Sequence, residues 1–589
     1  MIQVQSARRR AASLLAGAML GAPTLSAQAP AVSQVRADSL SCDGLMVTAV
    51  DLEPEEPAIL GGRTPGWARP ILRIMLQSRR TDTSAVRPFL LLGAGSACDE
   101  HQRAESERLL RAQPYLADAS VQAVPDGAGG VRLVVRTIDE VPLLIGGGLR
   151  DGAPSQLLLG NGNVMGQGIL AAAEWERGYA YRDGWGAHLT HYHVLGRRQR
   201  VELHAVRAPL TEWYQAAIAH PYLTDGQRLA WYGGYARQEG YVAFTRADAD
   251  PLSLGMTRDI WGLAGLARIG GRTRRLIAGA TVGYERGRPS NAAVVVSDTG
   301  FVASSEPVFA ERFAPFQATR IAAIGGARLL RFRRVQGLDA LAGAQDVASG
   351  VQLMTALGYE LGTEGGDGSE RVDTRQPFAA VDFYAGRALA RGLTAFALGM
   401  EGRRATIGSG WDDVVANGRL AWYYRPSRRR TRAISAEYQG AWDARRPYRV
   451  MLGNWNSGVR GYGGSRAAGA RLAVLRVEER LSMGGMGSLV GLGGAAFTDI
   501  GKLWAGDVPF GRSTAVRPSV GAGLLVAVPR RSQGFWRADV AAPLARDAYA
   551  PSWTLRISRA LPYQSFLRES GDLARARSTR PSSMLVASP

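Results

Sequence analysis

From about residue 143 to residue 561, side chains alternate between apolar and polar or very small in short segments separated by turn residues. No other feature limits the fold so sharply. Near the end of the chain Val520, Ala522, Leu524, Val526 and Val528 alternate with Ser519, Gly521, Gly523 and Ala527. After a turn at Pro529 to Gly534, Trp536, Ala538 and Val540 alternate with Arg537 and Asp539. Trp553, Leu555 and Ile557 then alternate with Thr554, Arg556 and Ser558. A period of two puts successive side chains on opposite faces of a strand. One face then meets lipid or a dry core, and the other meets a watery lumen or bulk water. Arginine is frequent at the inward positions, and Trp and Tyr sit near segment ends, as in an interfacial girdle. A bilayer leaves no open sheet edge unsatisfied, so strands between lipid and a wet interior must close into a barrel. At roughly 26 residues per strand with its turn, the region makes about 16 strands.

Composition removes the competing membrane architecture. Hydrophobic residues make up 46% of the chain, and the mean hydropathy is −0.10. Beyond residue 27 no apolar stretch approaches the ~18 residues that a spanning helix needs. The 73 glycines are spread along the chain, as many strands joined by tight turns would require. The net charge of +20 is carried almost entirely by arginine, Lys502 being the only lysine. These arginines are scattered rather than clustered, which predicts a wet, arginine-lined interior and no nucleic-acid partner.

Upstream the text differs. Arg8 to Arg10 precede an apolar run from Ala11 to Leu20, and small residues lead to Ala27. This predicts an export signal over residues 1–27, followed by a disordered leader over 28–40. Residues 41–142 read as a small α+β domain. Leu45 to Leu52 is a strand, Thr83 to Leu92 a short helix disturbed by Pro88, and Asp99 to Arg111 a charged helix ended by Pro114. Leu109, Ala112 and Leu116 are expected to face inward, with Glu107 and Arg111 paired on the wet side. Two strands close the domain, at Ala119–Val124 and Val131–Arg136. The only two cysteines, Cys42 and Cys98, fall in this domain. In an oxidising compartment they form a disulfide, worth about 4 kcal/mol in the chain-entropy account. Two buried free thiols are the alternative.

One segment narrows the reading. Met451 to Tyr462 contains Val459-Arg460-Gly461-Tyr462; Arg476, Glu478 and Arg480 follow, then Phe497-Thr498-Asp499-Ile500-Gly501. The ordered set resembles the Omp85 superfamily, which includes BamA, TamA and the two-partner secretion transporters. Its sixth extracellular loop carries a Val-Arg-Gly-Tyr/Phe motif, with a Phe-x-Asp-x-Gly strand downstream. The domain before the barrel resembles a single POTRA domain, especially over Glu105 to Arg111 and Pro114 to Leu116. Asn161 to Gly168 is similar to the turn after the first barrel strand of these proteins. The residues admit a physical reading of their own. Gly461 lets the loop turn tightly. Arg460 presents a planar five-donor guanidinium. Phe497, Asp499 and Gly501 share one strand face, and Arg476, Glu478 and Arg480 share another. If these faces point inward, Asp499 and Glu478 can meet Arg460 across the lumen, and the family implies that lock.

The resemblance implies insertion of outer-membrane proteins or translocation of polypeptides. A seam between the first and last strands, around residues 143–150 and 552–561, would open laterally. The implied partners are the outer-membrane bilayer, unfolded client polypeptides and periplasmic accessory proteins. A passive anion-favouring pore, a dedicated secretion channel and a structural surface antigen are the other readings. A single POTRA-like domain is the low end for the family, and the chain continues past Leu561 with a tail, residues 562–589, that reads as disordered. No enzyme is expected: there is no G-x-S-x-G elbow and no Walker A loop. No metal or cofactor is expected either, because His191 and His193 share a strand face while His188 falls on the other.

Overall fold

The computed structural model describes residues 41–55 and 80–560, apart from short stretches between 151 and 488, together with Arg577 and Leu585. The export signal expected over 1–27 and the leader over 28–40 lie outside the described residues, as does the 562–589 tail except at those two positions.

The N-terminal module runs β1 (Val47–Glu55), α1 (Thr83–Val86), α2 (Glu100–Arg111), β2 (Leu116–Pro125) and β3 (Val131–Asp139). Its sheet has the order β1-β3-β2, with β1 parallel to β3 and β2 antiparallel to it. Pro88 falls in a single 3-10 turn directly after α1, so the first helix stops at four residues. Asp99 caps α2, its carboxylate accepting the N–H groups of His101 at 2.9 Å and Gln102 at 3.2 Å. Leu109 and Leu110 pack with Phe89, Tyr115, Leu116, Val121 and Val135. Cys42 and Cys98 are joined by a disulfide, Cα to Cα 5.6 Å, which ties the approach to β1 to the approach to α2. Two expectations change. Ala112 is exposed as the helix C-cap. Arg111 does pair with Glu107, but it is buried because this side of α2 faces the barrel rather than water.

Short strands open the barrel: β4 (Leu143–Arg150), β5 (Ala153–Asn161), β6 (Ile169–Tyr179), β7 (Arg182–His191), β8 (Arg200–Arg207) and β9 (Thr211–His220). A wall of longer strands follows: β10 (Leu229–Phe244), β11 (Leu252–Ile269), β12 (Leu276–Ser297) and β13 (Gly300–Ser304). It continues through β14 (Phe316–Gln336), β15 (Ala344–Glu364) and β16 (Val372–Leu389). Next come β17 (Gly392–Arg404), β18 (Trp411–Ser427) and β19 (Arg430–Trp442). The loop after β19 holds a two-residue ladder, β20 (Val450–Met451) with β21 (Ala468–Gly469). The ring ends with β22 (Arg471–Met486), β23 (Val490–Trp504), β24 (Arg517–Ala527), β25 (Phe535–Pro543) and β26 (Thr554–Ala560).

All neighbouring barrel strands are antiparallel, and β26 pairs with β4 to close the ring. Because the short β13 lies against the far end of β12, which also reaches β14 directly, the circumference has 20 strands. This corrects the expected 16. Several connections are tighter than the spacing assumed: the paired residues Arg150 and Ala153, Leu389 and Gly392, and Ser427 and Arg430 each flank a two-residue turn. Outward positions such as Trp185, Leu263, Ile321, Leu357 and Leu524 form an exposed apolar band that lipid must cover. Inward positions carry Arg258, Arg320, Arg403 and Arg419, all buried. The two described tail positions both make contacts with the barrel. Arg577 pairs with Asp382 of β16 at 3.0 Å, and Leu585 is buried among inward side chains such as Tyr222 and Ala322.

Candidate functional site

The loop between β19 and β22 folds into the barrel, with Leu452, Val459 and Tyr462 buried. Its conformation depends on glycines at two close approaches. Gly461 has φ +90°, where L side chains are strained, and a Cβ there would lie 3.1 Å from backbone atoms of Ala542 and Pro543. A Cβ on Gly501 of β23 would overlap Val459, so that strand glycine makes the seat for the loop. Tyr462 anchors the exit of the turn by donating its hydroxyl to the Pro518 carbonyl at 3.0 Å.

Arg460 occupies the centre. Its Nε and Nη2 donate to the two carboxylate oxygens of Asp499, at 2.8 and 2.7 Å, a bidentate charge-assisted pair. Nη1 reaches Glu478 at 3.2 Å and Asp539 at 3.4 Å. The guanidinium carbon lies 3.4 Å from the centroid of the Phe497 ring, which stacks beneath it. A Cβ on Gly521 would overlap that ring, so β24 leaves the space it fills. Asp499 is fully buried. Arg476 donates to the carbonyls of Ser457 and Gly458, at 3.0 and 2.9 Å, gripping the loop backbone. Arg480 donates to Glu478 at 2.5 Å and to Asp339 at 2.9 Å, and Arg537 binds Glu478 at 3.0 Å.

The barrel therefore brings Val459, Arg460, Gly461, Tyr462, Glu478, Phe497, Asp499 and Gly501 into one cluster. Sequence reasoning missed Asp539 and Arg537, although both occupy the polar phase of β25 and that phase was legible. It also missed Arg446, which ties the stem of the same loop to Asp413 at 2.9 Å, Glu360 at 3.1 Å and Glu285 at 3.3 Å. No local pattern announced Arg446, because its three acids come from β18, β15 and β12. Trp455 and Asn456 of the loop lie outside the described residues. Among the described residues no group of three or more His, Cys, Asp and Glu side chains is placed to hold a metal ion.

The module is seated against one end of the barrel. Arg111 of α2 pairs with Asp346 of β15 at 2.8 Å, and Arg108 donates to the Leu223 carbonyl at 2.6 Å and lies over Phe332. On the other side Asp139 accepts the Thr81 N–H at 2.8 Å, while Thr81 accepts from Asn163 of the β5–β6 turn at 2.9 Å. Glu140, between module and barrel, pairs with Arg559 at 3.1 Å and accepts from the Ser532 hydroxyl. Burial nonetheless holds the Glu140 carboxyl above its ordinary range.

Among the described residues, the ladder that closes the ring is its shortest. Four residue pairs join β26 to β4, from Thr554 with Arg150 to Ile557 with Gly147. Gly146, Gly147 and Gly148 of β4 bring no side chains to this junction.

No protein-family model matches the chain, and no curated protein matches it. Solved structures do. The chain resembles BamA from Haemophilus ducreyi lacking POTRA domains 1–3, at 11% identity over 88% of this chain and 85% of that one, with a TM-score of 0.39. It resembles CdiB from Escherichia coli at 11% identity over 88% of this chain and 77% of that one, TM-score 0.43. CdiB from Acinetobacter baumannii is similar at 9% identity over 88% and 74%, TM-score 0.35.

Proposed function

We propose that this chain is an Omp85-type outer-membrane barrel that inserts other outer-membrane proteins into the bilayer or moves polypeptides across it. Residues 1–27 direct export, and residues 41–142 act as one POTRA-like domain in the periplasm that receives clients and accessory proteins. The loop at Val459–Tyr462 is a latch closed by Arg460 on Asp499 and Glu478. The chain does no covalent chemistry and needs no cofactor. The observation that carries the reading is the seam: four residue pairs separate a closed ring from two open strand edges. An incoming strand pairs with such an edge through backbone hydrogen bonds, so clients of many sequences can be accepted.

The test is a staple. Leu149 and Leu555 are paired across the seam, and the Leu149→Cys/Leu555→Cys protein is oxidised, placed in liposomes and offered an unfolded outer-membrane barrel. Client folding falls to the protein-free rate and recovers on reduction. Unchanged acceleration by the stapled protein removes the lateral gate.

The alternative, an anion-favouring pore or a dedicated secretion channel, draws on the charge of +20. The lumen weighs against a passive pore, because its arginines are matched by acids, as in Arg258 with Glu285 and Arg403 with Glu360, both at 2.7 Å. A large, steady, anion-selective conductance in planar bilayers decides for the pore.

A further inference from the structure

Three hairpin turns at the module end of the long-strand wall enclose a cavity of about 420 Å³. Arg333 and Arg334 line it from the end of β14, Arg391 from the β16–β17 turn, Arg425 from the end of β18 and Arg428 from the β18–β19 turn. No carboxylate lines it. Elsewhere in the barrel buried arginines such as Arg258, Arg320 and Arg403 meet acids; here five arginines gather round one cavity with no acid in its lining, and like charges so close repel until an anion enters.

The cavity is held in shape by backbone. Arg425 donates to the carbonyl of Gln336 and, at 2.9 Å, to that of Arg428, while its Nε is buried without a partner. Gly337, at φ +66°, leaves the space: a Cβ there would lie 3.1 Å from an Arg425 Nη. Among the described residues only Arg334 of the five has an acidic partner, Asp118 of β2 at 3.0 Å with Glu107 of α2 further off. Arg425 is held by carbonyl groups, which leave its charge unneutralised.

The place of the cavity selects the anion. It lies where the outward faces leave the apolar band: Leu329 of β14 and Leu389 of β16 are exposed, and Trp422 stacks on Tyr424 in β18 with ring centres 5.7 Å apart. Stacked aromatic side chains at strand ends mark the headgroup level of a bilayer. Guanidinium groups match phosphate geometry, with two parallel donors to two oxygens. We propose that this cavity binds the phosphate headgroup of an anionic phospholipid, of the phosphatidylglycerol or cardiolipin class, from the periplasmic leaflet. The assignment rests on the outer-membrane orientation above but not on insertion activity. Because Arg334 serves both the cavity and Asp118, a bound headgroup competes with the module for that arginine, and lipid occupancy is coupled to module seating.

The test uses the full chain in nanodiscs of phosphatidylcholine containing phosphatidylglycerol, with retained lipid counted by native mass spectrometry after extraction. The wild-type chain keeps phosphatidylglycerol over phosphatidylcholine by about tenfold, and the Arg391→Gln/Arg428→Gln variant loses that preference while keeping heat-modifiable gel mobility. Equal retention of the two lipids, or an undiminished preference in the variant, overturns the proposal. Saturable binding of inorganic phosphate in pure phosphatidylcholine discs, with no gain when phosphatidylglycerol is supplied, makes this a free-anion site and also overturns it. So does capture of an acidic peptide, polyglutamate, in place of lipid. Client insertion is not part of the measurement, so failure here leaves the insertase reading standing, and failure of insertion leaves the lipid preference intact.

Discussion

The two sides of the barrel are built to different lengths. On the far wall β12, β14 and β15 run 22, 21 and 21 residues, and β14 pairs with β15 at 21 positions. At the seam β26 has 7 residues and β4 has 8, joined at four positions. A tilted strand needs about 9–11 residues to span a bilayer; the far wall exceeds that length, and the described strands at the seam fall short of it. Cross-strand pairs contribute roughly 0.2–1 kcal/mol each, so four of them hold the seam by little and the long ladders hold the far wall by much more. On the proposed reading, the long ladders are the frame and the short ladder is the place that opens. The latch around Arg460 lies on the seam's side of the ring, on β22, β23 and β25.

A pair of staples tests that contrast most severely. The seam disulfide Leu149→Cys/Leu555→Cys abolishes client folding, whereas Ala323→Cys/Leu357→Cys, a paired outward position on the far wall, leaves it unchanged. Equal effects from the two staples would mean that ring closure in general, not the seam, is what matters.

The latch comes next. Arg460→Ala leaves Asp499 buried without its main partner and costs about 3–5 kcal/mol, read as a lower midpoint of heat-modifiable gel mobility. Adding Asp499→Ala recovers part of that loss, since the stranded charge is gone; strictly additive losses would show that the two residues do not act as a pair.

Reduction of Cys42–Cys98 has a smaller and more local effect. It costs the module about 2–4 kcal/mol, and amide exchange rises in β1 and α2 while the barrel ladders stay protected. Barrel amides exchanging in step with the module would show that the two unfold together. Smallest is Arg111→Ala, which removes the Asp346 tie and costs about 1–3 kcal/mol of module seating, read as faster trypsin cleavage between module and barrel. Unchanged cleavage would place the seating energy in the Arg108 and Thr81 contacts instead.

Much of this architecture was legible. The alternation of β24, β25 and β26 is visible in the text, because a strand's period of two is local and lipid on one side enforces it. The start of the charged helix near Asp99 and the break at Pro88 could be read for the same reason: helix-end signals and a missing N–H act within one turn. Arg460, Glu478 and Asp499 were found through motif spacing and strand phase. The strand count was not legible, because it depends on how tightly each hairpin closes, and two-residue turns at Arg150, Leu389 and Ser427 raised it. Arg111 looked like a solvent-facing residue on a charged helix face; only the docked barrel supplies Asp346, 235 positions later.

The sequence by itself determined that the chain alternates along most of its length, and that a Val-Arg-Gly-Tyr loop precedes a Phe-x-Asp-x-Gly strand. Tertiary structure alone decided which charges meet. Arg460 finds Asp539 in addition to its predicted acids, Arg446 draws three acids from three strands, and five arginines gather round one cavity with an acidic partner on Arg334 alone among the described residues. The physical reason is range. Periodicity and capping act over a few residues, whereas ion pairing inside a closed ring depends on distances that exist only once twenty strands have set its register.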